Sequence, residues 1–231
     1  MQRYMNIRRI DRIRRASKVL TYGGLAVMVV ALVISFGQAR DLGTALGLSL
    51  IGLLSSQLGT VMMRRWPDRG RSDQVLDAAL KGLDGRHAVF HYLLGCRHAL
   101  FTPRGSALLF PVGEPGMFEW RGAELWRTPL KQGVPSGRPA PMRSTTAHAA
   151  QEVTALQEDL SRRIPGRQAW DITPILVFVH PEARVESEGP MAAVHLKKLK
   201  EFIRHLPRHA PLSDAELGSL AARFERFRVS A

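Results

Sequence analysis

The sequence predicts an α/β domain held behind a two-helix transmembrane hairpin. Three observations predict it: two uncharged apolar runs near the N-terminus, basic clusters on both outer flanks of that pair, and mixed helical and strand-like patterning from residue 72 onward. The chain has 231 residues, with 33 Lys and Arg against 20 Asp and Glu, one Cys, and a hydrophobic content of 45%. A single Cys excludes a disulfide scaffold, and the hydrophobic fraction excludes a disordered chain. The net charge of +13 invites a nucleic-acid reading. Its distribution redirects that reading: residues 1–18 carry +6 and residues 64–71 carry +3, leaving +4 for residues 72–231.

Residues 19–36 (VLTYGGLAVMVVALVISF) hold no charge, and neither do residues 42–63 (LGTALGLSLIGLLSSQLGTVMM). As helices they would measure roughly 27 and 33 Å, against a hydrocarbon core of about 30 Å. Residues 37–41 suffice to reverse the chain. The basic collars are Arg8, Arg9, Arg12, Arg14 and Arg15 before the first run, and Arg64 and Arg65 after the second. They put both flanks, and so both termini, in the cytoplasm, where they can touch anionic lipid. A cleaved signal peptide over residues 1–39 competes with this. An 18-residue apolar run is long for one, and the second run would still anchor the chain with the same domain inside. No ionisable residue interrupts either run, so the pair reads as an anchor and not an ion pathway. Small residues at Gly43, Gly47, Gly52, Ser56 and Gly59, with Gly43 and Gly47 forming a GxxxG pair, predict close helix packing within the hairpin ahead of dimerisation.

Behind the basic linker 64–71, residues 72–84 (SDQVLDAALKGLD) place Val75, Leu76, Ala79, Leu80 and Leu83 on one helical face. Residues 87–94, 97–102 and 106–112 are strand-like, with a turn at Pro103-Arg104-Gly105. MFEW and AELWR flank Arg121-Gly122 as a hairpin, and residues 128–144, rich in Pro and Gly, read as a surface loop. A helix follows at 145–163, then a strand at 172–180 apolar enough to be covered on both faces. Strand 192–196 leads into helix 197–206. Ser213 and Glu216 form a capping box for a last helix, in 207–231, with Leu217, Leu220, Phe224 and Phe227 on one face.

The segments HALFTPRGSALLFPV, Trp126-Arg127, the helix 145–163, PILVFVHPEA and HLKKLKEFI occur in an order that resembles the nuclease-related domain, NERD. NERD is a branch of the PD-(D/E)XK nuclease-like fold, and the resemblance covers residues 72–206. It implies an αβββαβ core, with extra C-terminal helices here, in a bacterial inner-membrane protein. An active member needs an acid opening the second strand and a Glu-x-Lys on the third, to hold Mg²⁺ and orient water. Aligned without gaps on Gly105, the acid falls at Arg97, the Glu at Phe110 and the Lys at Val112, while His98, which often follows the acid, is kept. Asp73 matches an early acid on the first helix. Glu114 lies beyond the third strand, and its would-be lysine is Gly116. The resemblance therefore implies a catalytically degenerate domain, with no metal or other cofactor, serving as a binding or scaffolding module for an unidentified partner. The alternative is a membrane-tethered nucleic-acid binder or divergent Mg²⁺-dependent nuclease.

Other constellations are weaker. His87 and His91 share a strand face and read as surface or packing residues. His205 and His209 have ligand spacing, but Pro207 breaks the helix between them. Cys96 reads as a plain thiol. Lys197, Lys198, Lys200 and Arg204 form a basic cluster that reads as a solvated helix face, or as contacts for an anionic partner, lipid headgroup or nucleic acid. Aromatic residues do not interleave with it, which disfavours a single-strand site.

Overall fold

The computed structural model describes residues 1–37, 42–65, 72–131, 133–167, 169–186, 188–208 and 211–229. The chain divides into two compact units, one of Ile7–Arg71 and one of Met1–Asn6 together with Ser72–Ala231. The reversal at 38–41, most of the basic linker (66–71) and His209 lie outside the described residues.

Strand β1 (Gln2–Met5) opens the chain, followed by the hairpin helices α1 (Ile7–Gly37) and α2 (Leu42–Arg65). Both helices are long and apolar enough to cross a membrane, over Ile10–Phe36 and Gly43–Met62. Helix α1 starts twelve residues before the apolar run at 19, so Arg8 through Arg15 are helical rather than a tail. Arg and Ile propagate a helix at little cost once the following run has nucleated it. Apart from Val134, the large apolar side chains left exposed in the described residues all belong to residues 7–61.

The α/β unit resumes at α3 (Ser72–Leu80), shorter than the predicted 72–84, and continues through β2 (Ala88–His91), β3 (His98–Thr102) and β4 (Gly105–Val112). The predicted hairpin is β5 (Met117–Arg121) and β6 (Glu124–Thr128). The segment read as a loop holds three two-residue strands, β7 (Leu130–Lys131), β8 (Val134–Pro135) and β9 (Ala140–Pro141). Then come α4 (Arg143–Arg163), β10 (Ile172–Phe178), β11 (Arg184–Val185) and β12 (Ala192–His195). One 3₁₀ turn at Leu196–Lys198 leads into α5 (Leu199–Arg204), and α6 (Asp214–Arg223) closes the fold behind the predicted Ser213/Glu216 capping box.

The main sheet has the order β1-β2-β3-β4-β10-β12. Strands β2, β3 and β4 form an antiparallel meander, while β1 joins β2, and β10 joins both β4 and β12, in parallel. Period-two alternation sorts the side chains onto two faces. Val89, Leu100, Ala107, Leu109, Ile175 and Val177 pack with Leu76 and Leu80 of α3 and Leu199 and Ile203 of α5. Ala88, Phe90, Ala99, Phe101 and Leu108 pack with Leu156 and Leu160 of α4 and Leu220 of α6. The succession helix, three strands, helix, strand read from the sequence is present in α3, β2–β4, α4 and β10. A second sheet, β11-β5-β6-β9, covers a third core of Phe110, Val112, Phe118, Leu125, Leu176 and Phe178.

Strand β1 falls in what the sequence presents as a basic tail. Tyr4 is buried and its ring stacks on Phe90 with centroids 4.7 Å apart. The C-terminal segment closes the other side: Tyr4 bridges Arg228, and Val229 N–H donates to the Arg3 carbonyl at 2.9 Å.

Candidate functional site

The positions that the NERD resemblance assigns to metal chemistry are filled by packing. Thr102 pairs with Gly105 and Ala99 with Leu108, and continuing this register sets Arg97 across from Phe110. The Arg97 guanidinium lies over the Phe110 ring, 4.3 Å from its centroid, and its Nε donates to Glu152 on α4 at 2.6 Å. The Arg97 backbone N–H donates to the other oxygen of Glu152 at 3.1 Å. Phe110 and Val112 are buried under the second sheet, where a carboxylate and an ammonium would be cut off from water. Asp73 is buried in the first turn of α3, and Glu114 pairs with Arg127 at 2.6 Å. Among the described residues, no group of three or more His, Cys, Asp or Glu side chains is placed to hold a metal ion. Cys96 is buried, and burial together with Glu152 and Asp159 pushes its thiol up.

A chain of polar side chains crosses the opposite face, beneath α3. His91 and His98, both fully buried, sit directly across the β2/β3 pair. Their Nδ1 atoms are 2.7 Å apart. His91 Nε2 lies 3.1 Å from Asp77 Oδ1, and the other Asp77 oxygen is 3.5 Å from Arg3. His98 Nε2 lies 2.9 Å from Ser72 Oγ, which is 3.3 Å from the Tyr92 hydroxyl. Tyr92 adopts φ +60°, strained for a residue with a Cβ. The turn from 92 to 97 also needs Gly95 at φ +67°, where a Cβ would lie 2.9 Å from the Ala155 carbonyl. Of the two readings, surface or packing, His91 takes the packing one, while His87 pairs with Asp84 at 2.6 Å. The signal available in the sequence was the turn LLGC, which folds His91 back onto His98.

Burial first, then His91 and Arg97, holds His98 well below the usual imidazole range. The unfolded chain takes up that proton near pH 6.5 and the folded chain does not. This contribution to stability is therefore complete above about pH 6.5 and falls as pH drops toward the folded-state value. Urea unfolding of the detergent-solubilised chain is expected to show stability falling between pH 7 and 5, with a shallower slope for His98→Gln. An unchanged slope in His98→Gln would assign the effect elsewhere.

The basic cluster 197–204 divides. Lys197 and Lys198 are exposed on the 3₁₀ turn, and Lys200 Nζ donates to the Lys81 carbonyl at 2.7 Å. Arg204 instead lines a cavity of about 370 Å³ together with Arg86, His87, Arg104 and Asp84. Arg104 is fixed by donating its Nε to the Leu206 carbonyl at 2.6 Å. Asp84 accepts from Arg86 at 2.8 Å, and that contact, with His87, lowers its carboxyl to about 2. Arg86 and Arg104 were missed because they converge on Arg204 only through the fold. In the basic collars, Arg8, Arg12 and Arg15 are exposed on α1 and Arg14 is half-buried; the side chains of Arg9, Arg64 and Arg65 lie outside the described residues.

The class this architecture defines is a mixed α/β domain interrupted, between its first strand and first helix, by an apolar helical pair. No family model matches the chain, and neither a curated protein nor a solved structure matches it.

Proposed function

We propose that this chain is a two-pass protein of the bacterial inner membrane. Its cytoplasmic α/β unit is a non-nucleolytic binding module of NERD type, taking a small phosphate-bearing anion. The observation that carries the reading is the cavity, whose lining among the described residues includes Arg86, Arg104, Arg204 and His87 against one carboxylate, Asp84. Its volume of about 370 Å³ suits one phosphorylated headgroup or small phosphate ester. Among the described residues no Phe, Tyr or Trp lines it, so they offer bases no stacking platform, which favours a small anion over a nucleic-acid strand. The αβββαβ succession supports the PD-(D/E)XK-like assignment, and the Arg97–Phe110–Glu152 contact supports a loss of nuclease chemistry.

The membrane reading rests on the apolar surface of residues 7–61, which is far too extensive for a water-facing hairpin. The topology rests on the basic collars and on connectivity. Because β1 and β2 are neighbours in one sheet, the chain leaves and re-enters a single folded unit, which requires an even number of crossings.

In detergent, pyrophosphate at one hundred times its Kd is expected to stabilise the full chain by about 2.7 kcal/mol. That gain should shrink with salt and vanish in Arg104→Ala/Arg204→Ala. Stabilisation that persists in the double variant would move the site elsewhere. Retention of single-stranded DNA without pyrophosphate binding would favour the nucleic-acid alternative, and Mg²⁺-dependent cleavage would overturn the non-nucleolytic reading. Protein-free and phosphatidic-acid nanodiscs separate a free phosphate from a headgroup as its source. A periplasmic phosphatase fused after residue 231 should be inactive, and activity would refute the topology.

A further inference from the structure

The buried polar chain ends on a half-buried hydroxyl, and its proton positions follow from its other end. Asp77, beside Arg3, is a carboxylate that can only accept. His91 Nε2 therefore carries a hydrogen and donates to Asp77 Oδ1 at 3.1 Å. The 2.7 Å contact between the two Nδ1 atoms holds one proton. With both rings neutral, His91 Nδ1 is the acceptor and His98 Nδ1–H the donor. That leaves His98 Nε2 bare, so the Ser72 hydroxyl donates to it at 2.9 Å. The Tyr92 hydroxyl, 3.3 Å away, can then donate to Ser72 Oγ. One terminal carboxylate fixes the whole pattern, and the pattern aims a base at a serine.

We propose that Ser72 is a nucleophile for acyl transfer and that this chain hydrolyses carboxylic esters. Oγ attacks the ester carbonyl carbon while its proton passes to His98 Nε2. The proton on His98 Nδ1 moves to His91 Nδ1, so the positive charge settles on His91, against the Asp77 carboxylate, rather than on the more isolated His98. Collapse of the tetrahedral intermediate breaks the bond to the leaving alcohol, which takes a proton back along the same path. Water then attacks the acyl-serine with His98 again as the base, releasing the acid and restoring the hydroxyl. Ser72 opens the nine-residue helix α3, and the positive end of that helix's dipole favours a developing oxyanion. Two further observations separate this from a packing role. Two imidazoles have been desolvated where apolar side chains would fill the same space, and Tyr92 is held at a strained φ beside the hydroxyl.

The site is independent of the cationic cavity, and its test does not involve an anion. The full chain in detergent is treated with a fluorophosphonate probe, in which Oγ bonds phosphorus as fluoride leaves. A single adduct is expected, mapped by peptide mass spectrometry to Ser72, and it is absent in Ser72→Ala. His98→Gln is expected to slow labelling by about 10²-fold or more with its thermal transition retained. Asp77→Asn, a change in a positioning residue, should alter the pH dependence of labelling, where Arg3, Asp73, Tyr92 and the two imidazoles are the other titratable or charged groups on this face and Arg97 acts on His98 from the other side of the sheet. Hydrolysis of p-nitrophenyl butyrate should follow the same order of variants. A folded wild-type chain that resists the probe, or one labelled equally in Ser72→Ala, would overturn the proposal.

Discussion

Tyr4→Ala is expected to destabilise the α/β unit by about 3–5 kcal/mol, the range for removing a fully buried aromatic ring. For a unit of this size that lowers the thermal midpoint by roughly 10 °C. The reason is local and specific. Tyr4 is 1% exposed, stacks on Phe90, and through Phe90 reaches Phe101 and Phe224 in edge contacts of 5.5 and 5.7 Å. Truncation leaves a cavity at the junction of β1, β2 and α6, and loosens the strand whose Arg3 faces Asp77. Burial raises the Tyr4 hydroxyl pKa, with Glu225 adding to this and Arg228 opposing it, and the hydroxyl donates to Gln2 at 2.7 Å. Tyr4→Phe, which keeps the ring, should therefore cost only about 1 kcal/mol. Thermal unfolding of the full chain in detergent distinguishes these outcomes. If residues 1–18 were only a charged collar, both variants would melt with the wild type.

That contrast marks where the sequence ceases to be legible. The hairpin could be read because uncharged apolar runs of spanning length seldom occur outside a bilayer. Arg97 and Phe110 are singled out one by one, as positions set by the alignment on Gly105, but that they touch across the β3/β4 pair shows only in the fold. Strand β1 could not be read: four residues, QRYM, carry no periodicity and sit among arginines that read as a collar. Only the neighbouring edge of β2 and the returning C-terminus make a strand of them. The histidine chain failed for a related reason. Spacing along one strand showed only that His87 and His91 share a face, whereas the neighbour that matters lies across the hairpin at His98. Similarly, Arg204 was visible as part of a basic run, but Arg86 and Arg104, which line the cavity with it, come from the turn before β2 and the β3–β4 turn. Local pattern reveals elements; convergent sites are made by pairing.

Gly59→Leu is expected to break the hairpin, whereas Gly47→Leu is expected to be tolerated. The GxxxG pair Gly43 and Gly47 is the most visible small-residue signal in the second helix, yet a Cβ at either position would meet nothing within 4 Å. The seam runs instead through Gly24, Gly52 and Gly59. A Cβ on Gly24 would lie 2.5 Å from the Gly52 carbonyl oxygen, and one on Gly52 would lie 2.7 Å from the Gly24 carbonyl oxygen. A Cβ on Gly59 would run into Thr21 Oγ1, with the Thr21 nitrogen at 2.5 Å and the Ser17 carbonyl at 2.8 Å. Most of these obstacles are backbone, so no rotamer change relieves them and the helices must separate. In lipid no hydrophobic gain opposes that separation, because close backbone packing is itself the attraction. Overpacking of this kind costs about 1–3 kcal/mol where side chains can yield, and α1 offers mainly backbone. Detergent-solubilised Gly59→Leu and Gly52→Leu should lose monodispersity and thermal stability while Gly47→Leu matches the wild type. The reverse order would place the seam on the GxxxG face and turn α2 about its axis.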